Sequence, residues 1–175
     1  MVGRQGSDTR LIERLLGALD VLASGAHVVE LACGTGDLSL ELARRRGDLR
    51  VTATDIDPMV MDAGRAVVRL EGLAVGFRRM DPNRLAFGDQ SVDAIICSLG
   101  LLTPSEVAIQ EAARVLRPGG LLVLAVTEGE SATLEKFLEA ADFADVRGDR
   151  FEWEPSGYRG VQMTARIGIS DIETA

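Results

Sequence analysis

Cysteine, histidine, lysine and aromatic residues are all scarce in this chain of 175 residues, which has two cysteines, one histidine and 4% aromatics. Two thiols make no disulfide framework, and without a Cys/His cluster they make no zinc site, so no metal is expected. Cys33 and Cys97 each lie in or beside an apolar run with no histidine near, and read as small buried hydrophobes rather than nucleophiles. No apolar segment approaches the ~20 residues of a membrane span, and no charged start leads into an apolar signal core. The expectation is a soluble, cytoplasmic protein with no membrane span. Basic charge is also short: 19 basic side chains face 27 acidic ones, for a net charge of -8 and a pI near 4.7. Nucleic acid is therefore a disfavoured partner, because phosphates are held by clustered Lys and Arg. Lys136 is the single lysine, a bias resembling that of GC-rich bacterial genomes and without bearing on mechanism. Arg44, Arg45 and Arg46 are the best candidate for a local basic patch. They follow a predicted helix, and read as a solvated helix end that complements its dipole.

What the chain does have is an alternation of apolar runs and amphipathic segments. Residues 1–26 contain Leu11, Ile12, Leu15, Leu16, Leu19 and Leu22 on one helical face, which must cover a sheet or part of a cleft. Strands are predicted at 28–32, 50–55, 75–79, 92–97 and 121–126. Helices start near Leu38 and Pro58. Another starts at Thr103-Pro104-Ser105-Glu106, where Thr103 reads as the cap, with proline first in the helix and an acid three residues after the cap. Ser131 is expected to cap a helix presenting Leu134, Phe137, Leu138 and Ala141. The last stretch, through Phe151 to Trp153 and on from Tyr158, alternates like a hairpin closing the sheet edge. This is the pattern of an α/β fold: a single domain over 27–169, doubly wound and mostly parallel, with an antiparallel C-terminal hairpin strand and a flexible tail at 170–175. At this length one domain buries about 70% of its unfolded surface.

The most informative stretch is Val28-Val29-Glu30-Leu31-Ala32-Cys33-Gly34-Thr35-Gly36-Asp37-Leu38-Ser39: an apolar run, an acid, a glycine-rich turn and a helix start. It reads as a nucleotide-type ligand loop, in which Gly34 and Gly36 allow positive φ and close approach of a ligand, while the helix directs N–H groups at an anion. The same glycines would serve a tight strand-to-helix turn without any ligand. Asp55 ends the second strand and Asp81 follows the third. In an open parallel sheet both therefore point into the crevice above Gly34 and Gly36. An aspartate after a strand is otherwise a helix cap, a role that Asp57-Pro58 fits better than Asp55, and Asp81-Pro82-Asn83 also reads as a plain turn.

With Ala113-Arg114-Val115-Leu116-Arg117-Pro118-Gly119-Gly120-Leu121-Leu122-Val123-Leu124, this order of motifs resembles the class I S-adenosylmethionine-dependent methyltransferases. It looks closest to the methyltransferase type 11 branch, which includes quinone-biosynthesis and natural-product enzymes. The resemblance runs from residue 28 to 126 and implies a Rossmann-like sheet binding S-adenosyl-L-methionine, with S-adenosyl-L-homocysteine as product. It implies that Gly34 and Gly36 pass under the methionine moiety, with Glu30 behind the loop fixing its backbone or meeting the cofactor's ammonium. Asp55 would accept both ribose hydroxyls and Ile56 would pack on the adenine. Asp81 would accept from the adenine amino group, with Met80 on the other ring face and Pro82 lining the pocket. Ala32 stands where many relatives have the first glycine, a methyl expected to be tolerated. A nicotinamide reading is weaker, because Ser39 replaces the third small residue of that fingerprint and no second domain follows.

Methyl transfer from a sulfonium needs an aligned nucleophile and little else, so in-line displacement driven by proximity is expected. A general base is needed only if the acceptor must lose a proton. His27 precedes the first strand and lies at the wrong end of the sheet for that task. Ser98 and Glu128 are the catalytic candidates, Ser98 touching cofactor or acceptor, and Glu128 acting as a base or binding an acceptor amine. An exposed loop glutamate is the plainer reading of Glu128. Leu101, Trp153 and Tyr158 are candidates for the acceptor wall, although aromatics also favour half-buried strands. Brevity of the chain suggests an open site for a small-molecule or carrier-bound acceptor, or one completed by a homodimer or a partner chain. Two other functions fit the same motifs: a non-catalytic cofactor-binding accessory subunit, and a non-methylating reaction at the sulfonium.

Overall fold

Strands such as Val92-Asp93-Ala94-Ile95-Ile96-Cys97 are apolar on both faces, and only a sheet covered on both sides buries them. The computed structural model describes residues 9–98, 105–153 and 158–168, and shows that sheet. Its strands are β1 (His27–Glu30), β2 (Arg50–Asp55), β3 (Val75–Arg79), β4 (Val92–Ser98), β5 (Leu116–Thr127), β6 (Phe143–Trp153) and β7 (Tyr158–Ile167). They lie in the order β3-β2-β1-β4-β5-β7-β6. The first five are parallel, and β7 enters antiparallel between β5 and β6. The reversal between β1 and β4 is the switch point of a doubly wound sheet, the place where such folds put a ligand.

Helices α1 (Thr9–Gly17), α2 (Asp37–Arg45), α3 (Asp62–Glu71), α4 (Glu106–Val115) and α5 (Ser131–Ala140) cover the two faces. Successive strand residues divide between two apolar clusters, as the pleat requires. Val29, Ile95, Leu122 and Leu124 join Ile109 of α4 and Leu134 and Leu138 of α5. Val28, Ile96 and Val123 join Leu11 and Leu15 of α1, Leu38 and Leu42 of α2, and Met61. The amphipathic N-terminal helix thus covers the sheet. Its Arg14 guanidinium lies 5.6 Å from the centre of the Phe151 ring on β6.

Several boundaries differ from the sequence reading. The helix expected from Pro58 starts at Asp62, because Asp57 spends its carboxylate on a local turn, accepting the Met59 N–H at 2.9 Å. The α4 cap is Ser105 rather than Thr103: the Ser105 hydroxyl accepts the Ala108 N–H at 3.3 Å, which makes Glu106 the first helical residue. Ser131 does not cap α5. It is the first helical residue, and its hydroxyl donates to the Glu128 carbonyl at 2.9 Å, because a 3-10 turn at Glu128–Glu130 already leads into the helix. The β5 strand starts five residues early and absorbs Arg117-Pro118-Gly119-Gly120, with a register shift opposite 92–94 and φ of 75° at Gly119. Leu101, Thr103, Pro104, the turn at 154–157 and the tail at 170–175 lie outside the described residues.

The end of the sheet away from the crevice is held by ordinary polar contacts. His27 opens β1, donates its backbone N–H to Asp93 at 2.7 Å and places Nε2 2.9 Å from the Thr52 hydroxyl. Burial, then the Arg50 charge, lowers its pKa. Arg44, Arg45 and Arg46 are engaged as a helix end should be: Arg44 with Glu71 and Glu41, Arg45 with Glu41 and Glu13, Arg46 with Asp48. No helix among the described residues is long and apolar enough to cross a membrane.

Candidate active site

The turn after β1 is shaped by three residues with positive φ: Ala32 at 51°, Gly34 at 56° and Gly36 at 82°. Glycine accommodates this region without cost; alanine does not. Ala32 is therefore strained, a sharper departure than an added methyl suggests from sequence. The turn is fastened on all sides. Leu31 donates its N–H to the Ile96 carbonyl and Cys33 donates to the Thr54 carbonyl, both at 2.9 Å. Thr54 in turn donates its hydroxyl to the Glu30 carbonyl at 2.7 Å.

Glu30 is 3% exposed and sits behind the turn. One of its oxygens accepts both the Ser39 N–H at 3.0 Å and the Ser39 hydroxyl at 2.5 Å. The sequence reading directed the first N–H groups of α2 at a ligand. For Ser39 the structure corrects this, since a buried internal carboxyl takes that donor. Burial pushes the Glu30 pKa up to about 8 against the pull of the two Ser39 bonds, and the negative charges of Asp37 and Asp55 add to the rise.

Asp55, at the end of β2, reaches back across the turn. One oxygen accepts the Gly34 N–H at 2.8 Å and the other accepts the Asp57 N–H at 3.0 Å. Each carboxylate oxygen has two lone pairs, so these bonds leave accepting capacity on the crevice side. Beside it, Ile56 is 57% exposed, a large apolar side chain at the mouth of the crevice. Met80 is buried, and Asp81 is exposed with one oxygen accepting the Asn83 N–H at 2.9 Å and its amide at 3.1 Å. The plain-turn reading of Asp81 is realised here, leaving its second oxygen to be assigned. Pro82 is half-buried between them.

Two supporting residues were missed by sequence reasoning. A Cβ on Gly36 would meet the Phe77 ring at 2.6 Å, and one on Gly64 of α3 would meet the same ring and the Thr35 carbonyl oxygen. Gly36 is thus required by packing from below as well as by its φ. An apolar residue midway along β3 was the available signal for Phe77, but nothing in the order of residues says that it reaches the first turn. Ser39 was read only as a mismatch to another fingerprint.

Ser98, half-buried, ends β4 beside Ala125 of β5. Glu128 follows β5, and its carboxylate lies 3.2 Å from Arg150 and 3.9 Å from Arg159. To reach a substrate it must leave these partners. The register pairs Trp153 with Tyr158 beyond the level of Thr127, which is paired with Gly160, so their backbones stand at the crevice end of the sheet as the hairpin reading required. Cys33 and Cys97 are buried, and burial raises the Cys33 pKa. Among the described residues no group of three or more potential ligands is placed to hold a metal.

A family described as a methyltransferase domain matches residues 28–120, more than half of the chain and the part that builds this crevice. The chain belongs to the class I S-adenosylmethionine-dependent methyltransferases. Among similar proteins of this family, a ubiquinone/menaquinone biosynthesis C-methyltransferase of Azotobacter vinelandii is 36% identical over 166 residues, covering 90% of this chain and 66% of that one. A demethylmenaquinone methyltransferase of Deinococcus radiodurans is 34% identical over 114 residues, covering 63% of this chain and 47% of its own. The chain thus spans less than two thirds of the length of these curated relatives. Among solved structures, the [4+2]-cyclase SpnF has a TM-score of 0.80 at 21% identity, covering 91% of this chain and 81% of its own. A geranyl diphosphate methyltransferase has a TM-score of 0.78 at 14% identity, covering 90% and 78%. At such identities these two likenesses concern the fold alone. The methyltransferase sheet, with its antiparallel strand inserted next to the last parallel one, is the architecture found here.

Proposed function

We propose that the protein transfers a methyl group from S-adenosyl-L-methionine to a small-molecule acceptor, releasing S-adenosyl-L-homocysteine. The observation that carries this reading is the Asp55–Gly34 bond at 2.8 Å, which joins the two elements a nucleoside must bridge. The residues fit the cofactor. Gly34 and Gly36 keep the turn low, Asp55 offers lone pairs for the two ribose hydroxyls, and exposed Ile56 offers an apolar surface for the adenine beside the second oxygen of Asp81. Met80 and Pro82 back that end of the crevice. Glu30 acts from behind, holding α2 against the turn through Ser39.

The bound cofactor supplies a methyl group already activated on a sulfonium. What remains for the protein is to hold an acceptor atom ~3 Å from that carbon and in line with the departing sulfur, while excluding water. Ser98 at the end of β4 borders that position, and Leu101, Trp153 and Tyr158 supply acceptor walls in this reading. Glu128 serves acceptor recognition or proton removal on leaving its arginines. The names of the quinone-pathway relatives favour a quinone-type ring as acceptor, methylated on carbon.

Calorimetric titration with S-adenosylhomocysteine and S-adenosylmethionine, with NAD as control, tests the cofactor assignment. Binding near micromolar Kd, about 8 kcal/mol, to the sulfonium pair alone is expected. Formation of S-adenosylhomocysteine with a dihydroxynaphthalene acceptor then separates an enzyme from an accessory subunit. Absence of binding by either nucleoside overturns the reading.

A further inference from the structure

Asn83 lies just beyond Asp81, and its side-chain amide is held on both sides. Nδ2 donates to Asp81 Oδ1 at 3.1 Å, and the amide oxygen accepts the Ser105 hydroxyl at 2.7 Å. Ser105 caps α4, its oxygen accepting the Ala108 N–H at 3.3 Å. The direction of every bond in this chain is forced. A carboxylate has only lone pairs, so Asn83 must turn its NH2 toward Asp81 and its oxygen toward Ser105. The hydroxyl must then donate to Asn83, which leaves its lone pairs for the helix N–H. Reversing the amide would set its oxygen against the carboxylate.

This arrangement divides the two oxygens of Asp81 between two tasks. Oδ1 accepts both the Asn83 backbone N–H at 2.9 Å and the Asn83 amide. The last torsion of an aspartate is otherwise broad, and two donors on one oxygen narrow it. Oδ2 is the oxygen left for a ligand. The backbone that follows is anchored independently of Asn83. Glu111 of α4 accepts the Leu85 N–H at 2.7 Å, and Arg114 donates to the Leu85 and Phe87 carbonyls at 2.9 and 3.0 Å. The loop therefore stays on α4 without the Asn83 side chain, whose amide acts on the carboxylate alone.

We infer that Asn83, braced by Ser105, is a positioning residue that aims Asp81 Oδ2 at the exocyclic amino group of adenine and so sets the preference of the site for a 6-aminopurine nucleoside. This rests on the methyltransferase reading, in which Asp81 meets that amino group. Hydrogen bonds weaken steeply as the angle at the hydrogen closes, so a carboxylate free to rotate loses much of the contact. A purine without the amino group offers Oδ2 no donor there, and it gains nothing from the alignment. In this assignment neither Asn83 nor Ser105 touches the nucleoside.

The test is calorimetric titration of S-adenosylhomocysteine and of its analogue with unsubstituted purine in place of adenine. The wild type is expected to prefer the adenine compound by about fivefold or more, the scale of one hydrogen bond partly open to water, and Asn83→Ala to bring that ratio below about twofold. A merely structural loss weakens both nucleosides alike and leaves the ratio unmoved. Two changes at Ser105 separate cap from donor. Ser105→Thr keeps both and should keep the ratio, whereas Ser105→Asp keeps the cap but has no hydrogen to give Asn83, and should lower it. An unchanged ratio in folded Asn83→Ala or Ser105→Asp, or a lost one in Ser105→Thr, overturns the inference. Equal binding of the two nucleosides by the wild type does so as well. If S-adenosylhomocysteine binds normally while the ratio test fails, only the Asn83 assignment falls. If the wild type binds neither nucleoside, the methyltransferase reading falls and the inference falls with it.

Discussion

The Asp55 carboxylate accepts the Gly34 N–H at 2.8 Å, so the acid expected to bind ribose also fixes the turn that would lie beneath the cofactor. The second oxygen steadies the chain beyond β2 through Asp57. Ligand recognition and loop shape are therefore one arrangement, and removing the acid should damage both.

Asp55→Ala is expected to weaken S-adenosylhomocysteine binding by about tenfold or more, the loss of roughly 1.5–3 kcal/mol typical of charged hydrogen bonds. Asp57→Ala loses only the turn bond to Met59 and should keep its affinity within about threefold. Titration of both variants decides it. Equal effects would remove Asp55 from the ribose site.

Ala32 is a non-glycine residue held at φ of 51°. Ala32→Gly should raise stability by about 1 kcal/mol, the lower end of the strain assigned to a left-handed L-residue. Urea unfolding reads this directly. A loss of stability would mean that methyl packing against its apolar neighbours outweighs the strain.

Gly64 of α3 has no room for a side chain, being closed by the Thr35 carbonyl oxygen and the Phe77 ring. Gly64→Ala should cost about 2 kcal/mol, because backbone on one side cannot yield as a flexible side chain would. The same change at Gly72, which ends α3 at φ of 69° with open space around it, should be felt only through backbone strain. Thermal unfolding of the two variants distinguishes packing from conformation.

Glu30 gives stability a pH dependence of definite sign. Its pKa rises from an ordinary 4.5 to about 8 on folding. Below 4.5 both states hold the proton and its contribution is fully present. As pH climbs toward 8, the unfolded chain releases the proton while the folded chain keeps it, so stability is lost, and the loss is complete above the folded pKa. Glu30→Gln retains a Ser39 partner and removes the titration. The variant should therefore gain on the wild type between pH 5 and pH 8 in urea unfolding. A constant difference across that range would refute the buried neutral acid.

Much of the fold was legible because it depends on local pattern. The β2 and β3 strands lie within two residues of where they were read, since runs such as Val51-Thr52-Ala53-Thr54 end in recognisable breaks. Helix starts were less legible. At Asp57 and Thr103 more than one short polar residue could act as cap, and the choice among them depends on the direction in which the chain leaves the sheet. In the site, Gly34, Gly36 and Asp55 were visible from order alone. Ser39 and Phe77 were not, because each acts on a residue brought near only by the packing of α2 and α3 on the sheet.

The sequence by itself determined the alternation of buried strands and amphipathic helices, the glycine turn after β1 and the acids at the ends of successive strands. These are properties of period and of single-residue chemistry. Only the tertiary structure decided that Glu30 is a buried clasp on Ser39 and that the Phe77 ring holds Gly36 and Gly64 to glycine. Those facts depend on register and burial. Register is set by which strands become neighbours, and burial by what covers them, and neither is written in the local order of residues.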